Sequence, residues 1–261
     1  MKVNFLHGKK KYTFSVPKDI NELTIENYSK LKETLNITEK LKDVDKTLQI
    51  VSTLSNIPLK ALKTIDTESI GKLIVYVNKF LTSQPNTELN NIITVDGKSY
   101  GINTDLENMT LGEFIDLETY IKDIDNNLHM VMSVLYRLVT KRKGKKYNTK
   151  DYKPNRDKAS LFEKNIKIKD IYGASLHLLK FREKLYNDFE QLFTGVEEDT
   201  GVNSYNNIGA KWGWYNHLYL LSNENILNIE KVTKLPVYEC LTFMSYKQDL
   251  NQKLENERRI N

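Results

Sequence analysis

Along most of the chain, apolar residues recur every three or four positions, with short strand-like alternations between them. Residues 3–16 read as a β-hairpin, with VNFL and YTFSV as strands and His7-Gly8-Lys9-Lys10 as the turn. Thr24 is placed to cap a helix whose face is Ile25, Tyr28, Leu31 and Leu35. A second helix is expected over residues 39–54, with Leu41, Val44, Leu48, Val51 and Leu54 as its stripe. Pro58 opens a short helix. Asp66 or Thr67 then caps a helix over 68–81, in which Ile70, Leu73, Ile74, Val77, Phe80 and Leu81 keep the helical period. The polar connector SQPNTELNN marks an expected boundary, which gives residues 1–84 as a hairpin-plus-helices domain and 91–261 as a larger helical one.

The second half opens with a hairpin over 92–102, turning at Asp96-Gly97. Here an internal repeat emerges. Gly8, Tyr12, Leu23-Thr24-Ile25, Tyr28 and Leu31 line up with Gly97, Tyr100, Met109-Thr110-Leu111, Phe114 and Leu117, once two residues are dropped after the tyrosine. Thr110 and Glu113 form a capping box. Helix 111–122 carries Phe114, Leu117 and Ile121, and Asp125-Asn126-Asn127 is expected to break it. Helix 128–141 follows with the most regular stripe of the chain, Leu128, Val131, Met132, Leu135, Leu138 and Val139, which reads as core. Further helices are expected at 159–164, at 171–193 (capped by Asp170), at 208–221, at 224–234 and, opened by Pro236, at 237–259. In these, Ala174, Leu178, Leu185, Phe189 and Leu192, then Ile208, Trp212, Tyr215 and Tyr219, then Val237, Leu241, Met244 and Leu254 share faces. Residues 194–207 read as an exposed loop. The fold class is mainly α: a multi-helix bundle with two small β-hairpins, in which a hairpin-plus-helices unit is duplicated.

Composition supports a folded, non-membrane chain. Of 261 residues, 39% are hydrophobic and 10% aromatic, which is enough for a core. There is no run of about 18 apolar residues to span a membrane, and the first 15 residues carry lysines where a secretory signal needs an apolar segment. The single cysteine, Cys240, forbids a disulfide within the chain and sits in an apolar run, as a buried thiol does. His7, His129, His177 and His217 are far apart, so neither a metal site nor a cofactor is expected. No phosphate-binding glycine loop, dinucleotide fingerprint or nucleophile elbow is present. Asp116, Glu118, Asp123 and Asp125 cluster, but on expected solvent faces, with Glu118 and Lys122 as an i,i+4 pair. The expectation is a protein that is not an enzyme.

Net charge is a mild +5, yet residues 141–158 hold nine basic residues against Asp151 and Asp157. Gly144 and Pro154 argue for a loop. Lys141, Arg142, Lys143, Lys145, Lys146, Lys153 and Arg156, with Tyr147 and Tyr152 interleaved, form the candidate contact site. Three readings stay open: a solvated loop, a contact to an acidic partner, and a contact to nucleic acid by phosphate binding and base stacking.

Residues 48–81, LQIVSTLSNIPLKALKTIDTESIGKLIVYVNKFL, resemble tail assembly chaperones and related small tail proteins of tailed bacteriophages. The shared pattern is a helix ending in Leu-Ser, a Pro-containing turn, Leu-x-x-Ile-Asp, and a helix ending in Phe-Leu. The preceding hairpin and the Leu23-Thr24 helix start are similar too. MTLGEFIDLETYIKD, LHMVMSVLYRLV and WGWYNHLYLLSNENILNIEKVTKLPVYECLTFMSYKQDL resemble uncharacterised structural proteins of Bacteroides phages, including the crAss-like group. This chain is longer than those chaperones, and the repeat accounts for the extra length. The resemblance implies a structural component of the virion tail or head–tail region, assembled in the bacterial host cytoplasm. Its partners would be other tail or portal-region proteins, and a homo-oligomer fits as well. It implies no catalytic residues. The alternatives are a transient tail assembly chaperone and a nucleic-acid-binding protein using residues 141–158. A chaperone should carry a long exposed apolar face, and no stripe is plainly left over in the sequence.

Overall fold

The structure, a computed structural model, describes residues 2–7, 10–15, 17–193 and 212–260. It is mainly helical with small antiparallel β elements. In chain order these are β1 (Lys2–His7), β2 (Lys10–Ser15), α1 (Ile25–Ile37), α2 (Asp43–Ser55), α3 (Leu59–Leu62), α4 (Thr67–Leu81), β3 (Ile92–Val95) and β4 (Lys98–Ile102). Then come α5 (Leu111–Ile121), α6 (Ile124–Leu135), β5 (Tyr136–Lys143), β6 (Lys146–Thr149), α7 (Arg156–Asn165) and α8 (Ile168–Asp188). The last four are α9 (Glu190–Phe193), α10 (Trp214–Leu221), α11 (Ile226–Val232) and α12 (Val237–Ile260). Strands β1 and β2 pair alone, and β3-β4-β5-β6 form a four-stranded antiparallel sheet in that order. The expected loop 194–207 and Ile208 lie outside the described residues.

Two compact units interleave along the chain. The first is Met1–Ile102 with Asp123–Leu176, and the second is Asn103–Lys122 with His177–Asn261. The division does not fall at the polar connector, because hydrogen bonds tie that connector into the first unit. Ser83 accepts from the Ile20 N–H at 3.1 Å, Asn21 accepts from the Asn86 N–H at 2.7 Å, and Asn90 donates to the Asp170 carbonyl at 3.1 Å. Gly173 lets the connector lie against α8, since a Cβ there would stand 2.1 Å from the Glu88 carbonyl oxygen. The core of this unit includes Ile25, Leu31, Ile50, Leu62, Phe80, Met132 and Phe162, all essentially inaccessible to solvent.

The repeat in the sequence is a repeat in structure, and a wider one. Each copy runs hairpin, 3-10 turn, then a helix capped by threonine: Thr24 accepts from the Asn27 N–H, and Thr110 from the Glu113 N–H. In each copy the capping threonine also bridges, antiparallel, to the residue just before a long helix. In the first unit, the Ile25 N–H donates to the Ile166 carbonyl at 3.0 Å and the Ile168 N–H to the Leu23 carbonyl at 2.9 Å. In the second, the Leu111 N–H donates to the Leu235 carbonyl and the Val237 N–H to the Met109 carbonyl, both at 2.8 Å. Ile166-Lys167-Ile168 and Leu235-Pro236-Val237 are therefore equivalent clasps ahead of α8 and α12. This is why α8 begins at Ile168, two residues ahead of the expected Asp170 cap.

Several expectations are corrected. Helix 128–141 stops at Leu135, and Tyr136–Lys143 is strand β5. The apolar spacing of Leu135, Leu138 and Val139 suits either state. Pairing of β5 with β4 (Tyr100 opposite Leu138, Ile102 opposite Tyr136) selects the strand, so a third hairpin replaces the last turns of the helix. The break after α5 falls at Lys122–Asp123, and Asp125 lies in the first turn of α6. Helix α2 starts at Asp43, which leaves Leu41 and Val44 exposed. Leu254 is exposed as well.

Candidate functional site

The basic segment is a β-hairpin over its first half, irregular at residues 150–155, and helical from Arg156 on. Its two-residue turn is Gly144-Lys145. Gly144 has a φ of +61° and Lys145 has none in the left-handed region, the pattern of a type II′ turn, which matches the twist of the strands it joins. Lys141, Arg142, Lys143, Lys145 and Lys146 are all exposed on it. Arg142 opposes Tyr147 and Lys143 opposes Lys146 across the ladder. Among the described residues no ion pair engages these five side chains; Arg142 Nε donates to the Gly144 carbonyl at 3.1 Å.

Tyr147 has a structural task. Its hydroxyl proton is shared between the carbonyls of Ile102 (2.5 Å) and Asn91 (2.8 Å), and its ring lies against Gly101, where a Cβ would come within 2.3 Å. Burial pushes its phenol pKa up. The ring is committed to the sheet, which takes it out of any base-stacking role. Tyr152 is half-buried, Lys153 is exposed, and Arg156 is the exposed first residue of α7 behind the Asn155 cap. Lys158 turns inward and donates to the Tyr136 carbonyl at 3.3 Å. The structure thus gathers five of the nine candidates at one hairpin tip, anchors that hairpin with a sixth, and leaves Tyr152, Lys153 and Arg156 beyond it along the chain.

The sequence reading missed an apolar surface in the second unit. Leu220 is 59% exposed, Phe243 50%, Tyr246 62% and Leu227 79%. Trp212, Tyr215, Tyr219 and Ile226 are exposed too, so the face that Trp212, Tyr215 and Tyr219 share points to solvent. Between α10 and α12 runs an open groove of about 670 Å³, with Leu192, Leu220, Leu221, Phe243 and Met244 in its wall and Glu224, Lys247 and Glu255 among its polar residues. The signal was present in the sequence. In WGWYNHLYLL only Asn216 and His217 interrupt large apolar and aromatic residues around Gly213, and one helix side cannot bury all of them. Trp214 takes the inner place, edge-on to Phe114 at 5.4 Å.

The acidic cluster also reads differently in three dimensions. Glu118 is buried and pairs with Arg182 through two hydrogen bonds of 2.6 and 3.1 Å. The Tyr186 hydroxyl donates to Glu118 at 2.6 Å, and its ring stacks on Phe193. Burial, with the hydrogen bond to Glu118, pushes the Tyr186 phenol up to about 12. These contacts cross-link α5 and α8 within the second unit. Cys240 is buried, which pushes its thiol up to about 11. Among the described residues, no group of three or more His, Cys, Asp or Glu is placed to hold a metal ion, and no helix is long and apolar enough to cross a membrane. No known protein family, curated protein or solved structure matches the chain.

Proposed function

We propose that the chain is a non-enzymatic morphogenesis protein of a tailed bacteriophage, built into the virion tail or head–tail region and acting through protein–protein contacts. The observation that carries the contact role is the exposed apolar surface of the second unit, where Leu220, Phe243 and Tyr246 stand half or more in solvent. Apolar patches of this kind mark interaction sites, and their enrichment in Tyr, Trp and Phe is the composition of interface centres. The phage context rests on the resemblance of residues 48–81 and of the later segments. The partners in this reading are other tail or portal-region proteins, met in the bacterial host cytoplasm and kept in the virion.

The same surface favours a second reading, a transient tail assembly chaperone, because a chaperone must offer an apolar face to its client. Mass spectrometry of purified mature particles separates the two. A structural component is present at a fixed copy number. A chaperone is found in the infected-cell lysate and is missing from the particles. Normal particle yield from a phage lacking the gene contradicts both.

A further inference from the structure

We propose that the hairpin β5–β6 is an arm that binds the phosphate backbone of duplex DNA. This inference stands apart from the reading of the apolar surface.

Four observations converge on it. Pairing of β5 with β4 covers only Tyr136 to Leu138. Among the described residues, from Val139 onward the strand has only β6 as a ladder partner, so residues 139–149 form a two-stranded ribbon past the pairing with β4. Second, the tip of that ribbon carries Lys141, Arg142, Lys143, Lys145 and Lys146, and no acidic residue occurs from 126 to 150. Third, Lys143 stands directly opposite Lys146. Like charges facing each other across a ladder are unfavourable, and among the described residues no ion pair offsets them there. A polyanion does. Fourth, the ribbon is pinned close to its tip. The anchor is Tyr147, opposite Arg142 and next to Lys146, whose hydroxyl and ring fix β6 over Gly101, and the register shifts at the Val139/Lys141 step.

The geometry selects among polyanions. A two-stranded ribbon fits the major groove of B-form DNA, whereas the major groove of A-form RNA is too deep and narrow for it. Five cations on a ribbon on the order of 15 Å long match several consecutive phosphates. With Tyr147 committed to the sheet, stacking on single-stranded bases is not part of the contact. Binding is therefore electrostatic and tolerant of sequence.

The test is fluorescence anisotropy of the full chain with a labelled 30-base-pair DNA duplex, titrated across salt from about 50 to 200 mM. Wild type is expected to bind with a log–log salt slope of about −4.5, since each of five neutralised phosphates contributes about −0.9. A variant with Lys141, Arg142, Lys143, Lys145 and Lys146 all changed to Gln is expected to bind at least tenfold more weakly, with a slope near zero and an unchanged circular-dichroism melting curve. A charge-matched control, with exposed Lys40, Lys42, Lys60, Lys63 and Lys79 changed to Gln, is expected to bind like wild type. The proposal is overturned if wild type does not bind at 50 mM salt, if the control weakens as much as the arm variant, or if poly-glutamate competes as well as unlabelled duplex. The last result would assign the arm to an acidic protein surface.

Discussion

At Gly173 a Cβ would meet the backbone of the connector, with the Glu88 carbonyl at 2.1 Å and the Leu89 nitrogen at 2.8 Å. Backbone held by its own hydrogen bonds cannot step aside as a flexible side chain can. Gly173→Ala should therefore destabilise the protein by about 2 kcal/mol or more, as overpacking does. Gly71, inside α4 with nothing near its absent Cβ, is the counter-case. Gly71→Ala should stabilise by about 0.5–1 kcal/mol through helix propensity. Urea denaturation of both variants checks the opposite signs. His217 and Cys240 predict the pH dependence. Burial lowers the His217 pKa below its ordinary 6.5, so the unfolded chain takes up that proton more readily, and stability is lost as pH falls through and below 6.5. Burial raises the Cys240 thiol from 9.0 to about 11, so stability present below 9 is lost as pH rises toward 11. The melting temperature should therefore show a plateau between about pH 6.5 and 9, and His217→Gln should flatten its acid side.

Each copy of the repeated element starts its helix from a threonine cap, and the two caps differ in strength. Thr24 satisfies one amide, the Asn27 N–H, at 3.3 Å. Thr110 does the same for Glu113, while the Glu113 carboxylate takes both the backbone N–H and the hydroxyl of Thr110 at 2.9 Å. Thr24→Ala should cost about 1 kcal/mol and Thr110→Ala up to about 2, measured by chemical denaturation. These caps, the Asp96-Gly97 turn and the repeat itself were legible because each depends on local chemistry. Asp96 and Gly97 both have positive φ, as that turn requires. Strand β5 was not legible. Its residues continue the apolar stripe of α6, and the choice between helix and strand is made by β4, which lies more than thirty residues earlier in the chain. The clasp at Ile166–Ile168 needs a partner at Leu23–Ile25, a pairing that spacing along one segment cannot reveal. For the candidate site, the cluster of cations was read directly from composition. Its hairpin form and the inward duty of Tyr147 were not, because both depend on contacts with Ile102, Asn91 and Gly101.

At the scale of the whole molecule, each unit draws on two separated stretches of chain, so the boundary expected near residue 84 is replaced by an interleaved division. The first unit carries the basic arm, and the second carries the apolar surface. The central claim is that this surface is a contact made during particle assembly. The most direct test is the yield of complete particles from a phage in which Leu220 and Phe243 are both replaced by Asp, read beside the melting curve of the purified variant. Both side chains are half or more exposed, so the fold should tolerate the change. The account predicts an unchanged melting curve and a collapse in complete particles. A normal yield of particles from a normally folded variant would contradict it.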